Sequence, residues 1–265
     1  MSRYFWITLL LLVLGLFPAQ AQFAQYKPFT AMRVIRTEHF DIIFPKESEV
    51  SARLLASYAD DVYKEMSGLL GIELRRRLPV AFTPHTDRFN GYYQFASGSI
   101  MLFDTPMDVE WTTYEDNLKG LFIHELAHAI SLNSSSPLFD VFHRIFGNWV
   151  MPTGINAPGF MVEGVAIGFE SLGGFGRAND PRTKQLLRQA IYEDKFLTPF
   201  QASQMYDAPS NNGGHWYDYG GLFSKWLLDN YGMEKYAQLW QAMGRDIYFS
   251  FSVYRSDFYA IFRNV

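Results

Sequence analysis

His124-Glu125-Leu126-Ala127-His128 places two imidazoles and a carboxylate inside Leu118–Leu132, a segment otherwise almost wholly apolar. On a helix, residues four apart share a face, so both imidazoles can address one ion. Glu125 falls at the edge of that face, in reach of a water rather than of the ion. Three ionisable groups in so apolar a helix are costly to bury without a strong partner. Zinc suits two histidines and a water-activating glutamate at this spacing. A catalytic zinc takes a third protein ligand and keeps one position open. The candidate is Glu163, within Pro158–Ala166, which follows His128 after 34 intervening residues. Gly164 and Ala166 are small enough to let that helix lie close against the histidine helix. Glu170, two turns further on the same face, is a candidate partner for an imidazole N–H.

Those residues need a scaffold, and the chain order suggests one. Met32–Arg36 and His39–Phe44 read as strands joined at Thr37-Glu38, and Pro45 closes the second. Ser48–Leu70 carries Val50, Leu54, Leu55, Tyr58, Val62 and Met66 at helical spacing, with Gly71 as its stop. Leu78–Thr83 reads as a buried strand. Gly91–Ala96 and Ser99–Asp104 form a hairpin around Ser97-Gly98. Thr112-Thr113-Tyr114-Glu115 has the form of a capping box opening the histidine helix. Helices follow over Pro158–Glu170, Pro181–Asp194, Pro199–Met205, Asp218–Tyr231 (stopped by Gly232) and Glu234–Met243, with a last one from Ser252. Val141–Met151 is apolar and reads as packing over the site, with a lid or an interfacial helix as alternatives. Strands first and helices afterwards indicate an α+β fold, with an N-terminal α/β part over about 30–135 and a helical part over about 136–265.

Hydrophobic residues make up 48% of the 265 and charged residues 19%, which predicts a substantial core and excludes global disorder. A net charge of −4 gives no basic footprint for nucleic acid, and Arg75-Arg76-Arg77 reads as a solvated turn. Arg3, the apolar Tyr4–Phe17 and Ala19-Gln20-Ala21 have the form of a signal peptide over 1–21, leaving a domain over 22–265. The apolar core is too short for a stable transmembrane span. Export to the periplasm, cell envelope or extracellular space is therefore expected. The absence of cysteine leaves stability to packing and metal. Phe251, Val253, Phe258, Ile261, Phe262 and Val265 form an apolar terminal stripe.

HELAH followed by a helix with VEGVA resembles the gluzincin zinc metallopeptidases, in their peptidase-MA-like branch, from about Thr30 onward. The resemblance implies a thermolysin-like fold with a mixed sheet packed on the zinc helix. It implies that His124, His128 and Glu163 bind Zn2+ and that Glu125 is the general base of peptide-bond hydrolysis. Its antiparallel edge strand would align an extended peptide, here along Tyr92, Tyr93, Gln94 and Phe95. Tyr219 is the candidate oxyanion donor, with Tyr217 and His215 as nearby alternatives. Relatives of such domains are often followed by a β-propeller. The expected function is that of an exported zinc protease acting on a peptide or protein. The alternative is a zinc-containing binding or scaffold module of the envelope with little turnover.

Overall fold

The structure is a computed structural model that describes residues 27, 29–105, 114–203, 214–245 and 261–262. The chain divides into a short unit, Met1–Thr30, and a large one, Ala31–Val265, which carries every element named here. The expected signal peptide lies outside the described residues. So does the terminal stripe, except for Ile261 and Phe262. Phe262 is buried, its ring 4.7 Å from that of Tyr231.

Strands β1 (Met32–Arg36) and β2 (Phe40–Pro45) form an antiparallel pair. Helix α1 (Glu49–Leu70) follows and ends at Gly71, whose φ of 63° is left-handed and whose N–H returns to the Ser67 carbonyl. Its core face is Ala52, Leu55, Ala59, Val62 and Met66, while Val50 and Leu54 of the expected stripe are exposed. β3 (Leu78–Thr83) pairs parallel with β2, as a crossover through a helix requires. β4 (Gly91–Gln94) and β5 (Ser99–Phe103) make the expected hairpin, with β4 shorter than the anticipated Gly91–Ala96. Because β5 inserts parallel to β3, the sheet order is β1-β2-β3-β5-β4 and β4 is left at an edge. Alternate residues Phe40, Ile42, Val80, Phe82, Ile100 and Leu102 are fully buried, so one sheet face forms the core.

Helix α2 (Asn117–Leu132) carries the histidines and packs on β4, β5 and α1. Thr112 and Thr113 of the expected capping box lie outside the described residues, and the helix opens later, with Asp116 as its N-cap accepting the Lys119 N–H at 3.0 Å. Tyr114 is turned elsewhere, with its ring against Gly120, where a Cβ would lie 2.5 Å from ring carbons. Next come α3 (Pro137–Phe146), α4 (Pro152–Asn156) and α5 (Gly159–Glu170). Then follow α6 (Pro181–Tyr192), the short α7 (Pro199–Ala202) and α8 (Gly214–Met243). Gly232 interrupts α8 with a φ of 79°, at the predicted helix stop. The first part of α8 begins four residues before the expected Asp218. The architecture is α+β, a five-stranded mixed sheet with helices on its core face and a helical second half.

Ordinary packing is not what α3 shows. Leu138, Val141, Phe142, Ile145 and Phe146 are all exposed, and Phe139 is its only buried side chain. Among the described residues no helix is long and apolar enough to cross a membrane.

Candidate metal centre

α2 is buried along most of its length, and His124, Glu125 and His128 are buried with it at 4%, 3% and 7% exposure. α5 lies across α2 and brings Glu163 to the two imidazoles. Glu163 Oε2 is 3.4 Å from His124 Nε2 and 3.5 Å from His128 Nε2, and those two nitrogens are 3.2 Å apart. Ligand atoms of the three residues all lie within 4.8 Å of one another, a set that can hold a metal ion. Glu163 Oε2 is buried and makes no hydrogen bond among the described residues, so an acceptor is aimed between two nitrogens. An orphan of that kind is costly unless a cation meets it.

Gly164 does not face the histidine helix as expected. A Cβ there would lie 2.5 Å from the Gly220 carbonyl oxygen, and one on Gly220 only 1.9 Å from that of Phe160. Glycines on α5 and α8 thus allow backbone-to-backbone contact, which sets the start of α8 beside the centre. The consequence is a change in which tyrosine arrives there. Tyr217 stacks on His124, with ring centroids 6.4 Å apart and planes at 23°. Tyr219 points away into a small cluster with Leu187 and Ala202. Its hydroxyl accepts the Leu197 N–H at 3.1 Å, and its ring lies 4.9 Å from that of Phe196. His215 packs edge-on against Tyr219. The structure thus sets Tyr219 away from the candidate ligands and its alternative Tyr217 beside them.

Glu170 is where an imidazole partner is needed. Its Oε2 lies 3.0 Å from His124 Nδ1 and accepts the Tyr114 hydroxyl at 2.9 Å. Arg177 donates to both oxygens through Nε and Nη2, each at 2.9 Å, and adds its backbone N–H at 3.0 Å. The same guanidinium lies 4.9 Å from the centre of the Tyr217 ring. Arg177 Nη2 is also 2.8 Å from His124 Nδ1. That nitrogen can donate to Glu170 or accept from Arg177, and a metal on Nε2 selects donation to Glu170. Arg177 and Tyr114 escape sequence reasoning because nothing local marks them. The signal in hindsight is the glycine-rich return Gly173-Gly174-Phe175-Gly176, which turns the chain back onto the end of α5.

Burial and Arg177 push the His124 imidazole down, but Glu163, Glu170 and Glu125 outweigh them and carry it up to about 9. Burial works against the charge of Glu163 as well, yet the two histidines hold its carboxyl well below the usual range. Glu170 is likewise held down by Arg177 and His124 against its burial. The metal-free centre is thus an ion cluster in which a protonated His124 lies between Glu163 and Glu170 at neutral pH. Metal binding at Nε2 must expel that proton. Calorimetric titration of metal into the metal-free protein, in buffers of different ionisation enthalpy, should show about one proton released near pH 7, fading as the pH rises past about 9. Release that does not change across this range would contradict the assignment.

Glu125 lies under the edge strand. A Cβ on Gly91 would sit 3.3 Å from Glu125 Cγ, and the nearby Tyr93 backbone N–H favours the charged carboxylate. Burial raises the pKa of Glu125. Burial followed by the nearby Glu163 raises Tyr217 to about 12, so its hydroxyl stays protonated. Of the expected peptide-lining residues, Tyr92 packs edge-on to Phe103 and Tyr93 is half-buried against the core. Gln94 is exposed and accepts from Ser97, while the Phe95 ring rests on Gly154 of α4.

No family model matches the sequence. The chain is 33% identical, over 247 residues and 88% of its own length, to a protein of Treponema pallidum (strain Nichols) described as uncharacterized. It spans only 22% of that relative's length.

Proposed function

We propose that the protein is an exported, gluzincin-type zinc metallopeptidase that hydrolyses peptide bonds. The observation that carries the reading is the triangle of His124 Nε2, His128 Nε2 and Glu163 Oε2, with edges of 3.2, 3.4 and 3.5 Å. Zinc–ligand bonds of about 2.0–2.1 Å in tetrahedral geometry give ligand–ligand edges of roughly 3.3 Å, so the set fits zinc. Two neutral imidazoles and one carboxylate are also a known catalytic zinc donor set. Zinc held there would acidify a coordinated water and polarise a peptide carbonyl.

The chain's own groups supply the remaining chemistry. Glu125 stands next to the ligands without belonging to the set, buried and with a raised pKa, which suits it to take a proton from water and pass it to the leaving amine. Tyr217 keeps its proton and lies against His124, so its hydroxyl is the donor we assign to the developing oxyanion. β4 is a sheet edge beside Glu125, the kind of edge that orders an extended peptide by strand addition.

The test begins with metal analysis of the purified protein, followed by cleavage of a peptide library. Stoichiometric zinc and chelator-sensitive cleavage are expected. Tyr217→Phe should lower kcat by about 10²–10³ with little change in KM, as loss of one oxyanion donor does. Tyr219→Phe should leave kcat near wild type. Zinc without cleavage across broad libraries would favour the scaffold alternative, and absence of bound metal would defeat both.

A further inference from the structure

Helix α3 turns an apolar face outward. Leu138, Val141, Phe142 and Ile145 fall at i, i+3, i+4 and i+7, and Phe146 extends the same face. Their exposures run from 40% for Phe142 to 67% for Ile145, so the apolar stripe faces outward. At about 100° per residue, Arg144 falls on the edge of this stripe beside Val141, and Asp140 follows it on the same edge. Asp140 accepts from Arg75 Nε at 3.0 Å and Nη2 at 2.7 Å, which brings the Arg75-Arg76-Arg77 turn alongside α3. Arg76 donates to the Ser97 carbonyl at 3.0 Å, and its Nη2 shares the surroundings of Gly98 with Asn148, just beyond α3. Arg77 is balanced by Asp41. This leaves Arg75, Arg76 and Arg144 against Asp140 and Glu73, which lines the same depression as Arg75 and Asp140, so the edge keeps a basic excess in a chain whose formal charge is −4.

An outward apolar stripe with a guanidinium edge matches one kind of partner closely. At a bilayer surface, apolar side chains enter the headgroup–acyl boundary while arginines remain at the level of the phosphates. We propose that α3 and the Arg75–Arg76 turn form a docking face for the surface of an anionic phospholipid bilayer. The helix lies in the interface and does not span it, since its 10 residues are far too few. The inference does not depend on the zinc reading.

Co-sedimentation of the full chain with vesicles tests it, using phosphatidylcholine alone and phosphatidylcholine mixed with phosphatidylglycerol, at low and high salt. Binding to the mixed vesicles that weakens with salt is expected. An arginine near an anionic surface is worth about 1 kcal/mol, or roughly fivefold in partitioning, so Arg76→Glu with Arg144→Glu should cut binding at least about tenfold. Val141→Glu with Ile145→Glu should abolish it. These side chains are exposed, so circular dichroism and zinc content should stay at wild-type values. Wild-type protein that ignores the anionic vesicles, or variants that bind as well as wild type, would overturn the proposal. So would a dimer in light scattering that Ile145→Glu dissolves, since the face would then belong to a second copy.

Discussion

Glu125→Gln is expected to leave the protein folded and metal-loaded while lowering kcat/KM on any cleaved peptide by about 10²–10⁴-fold. The amide has nearly the shape of the carboxylate. It cannot take a proton. Glu125 is not among the three ligand residues, so zinc content should stay stoichiometric. The buried carboxylate is already disfavoured in its charged form, so a neutral substitute should not weaken the metal-free fold. Glu163→Gln is the contrasting variant. It removes the anionic ligand and should lose zinc and activity together. Zinc analysis, urea unfolding and peptide cleavage on the same three samples separate these outcomes. A Glu125→Gln protein that holds zinc and cleaves at the wild-type rate would remove Glu125 from the chemistry.

The grouping of His124, His128 and Glu163 was legible because the chemistry of these residues is local or nearly so. An i, i+4 pair on an apolar helix has few partners that make its burial tolerable, and a lone glutamate in a second apolar helix has the same problem. Glycine stops were legible for a similar reason, since Gly71 and Gly232 adopt the left-handed φ that side chains resist. The choice between Tyr217 and Tyr219 was not. Two residues apart on a helix means about 200° apart around it, so only one of them can face the metal. Which one is fixed by the contact of Gly220 with Phe160 and Gly164, a property of two helices together. The start of α2 was misread for a related reason. Tyr114 sits in a plausible capping box, but its hydroxyl binds Glu170, 56 residues away. Composition marked Val141–Met151 as apolar and could not tell whether anything covers it.

Arg177→Met should weaken zinc binding by about 10–100-fold, as loss of a group supporting a ligand typically does. Arg177 touches none of the three ligand atoms directly, and acts by holding what holds them. Its guanidinium bonds both oxygens of Glu170, which has a side chain with no exposure. Through Glu170 it orients His124, and through its contact with the Tyr217 ring it reaches the assigned oxyanion donor. Removing one partner of a buried pair costs about 3–5 kcal/mol, so urea melts of the metal-free variant should fall by that order. Much of the loss comes from the carboxylate left behind, so adding Glu170→Gln to Arg177→Met should cost less than it does alone. Arg177→Lys keeps the charge but lacks the planar fork that binds both oxygens and lies against the ring, and should recover only part of the affinity. Zinc affinity by chelator competition and the d–d spectrum of the cobalt-substituted protein read the geometry without any assay of cleavage. If stability falls while zinc affinity and the cobalt spectrum stay at wild-type values, Arg177 holds up the fold and does not position the centre.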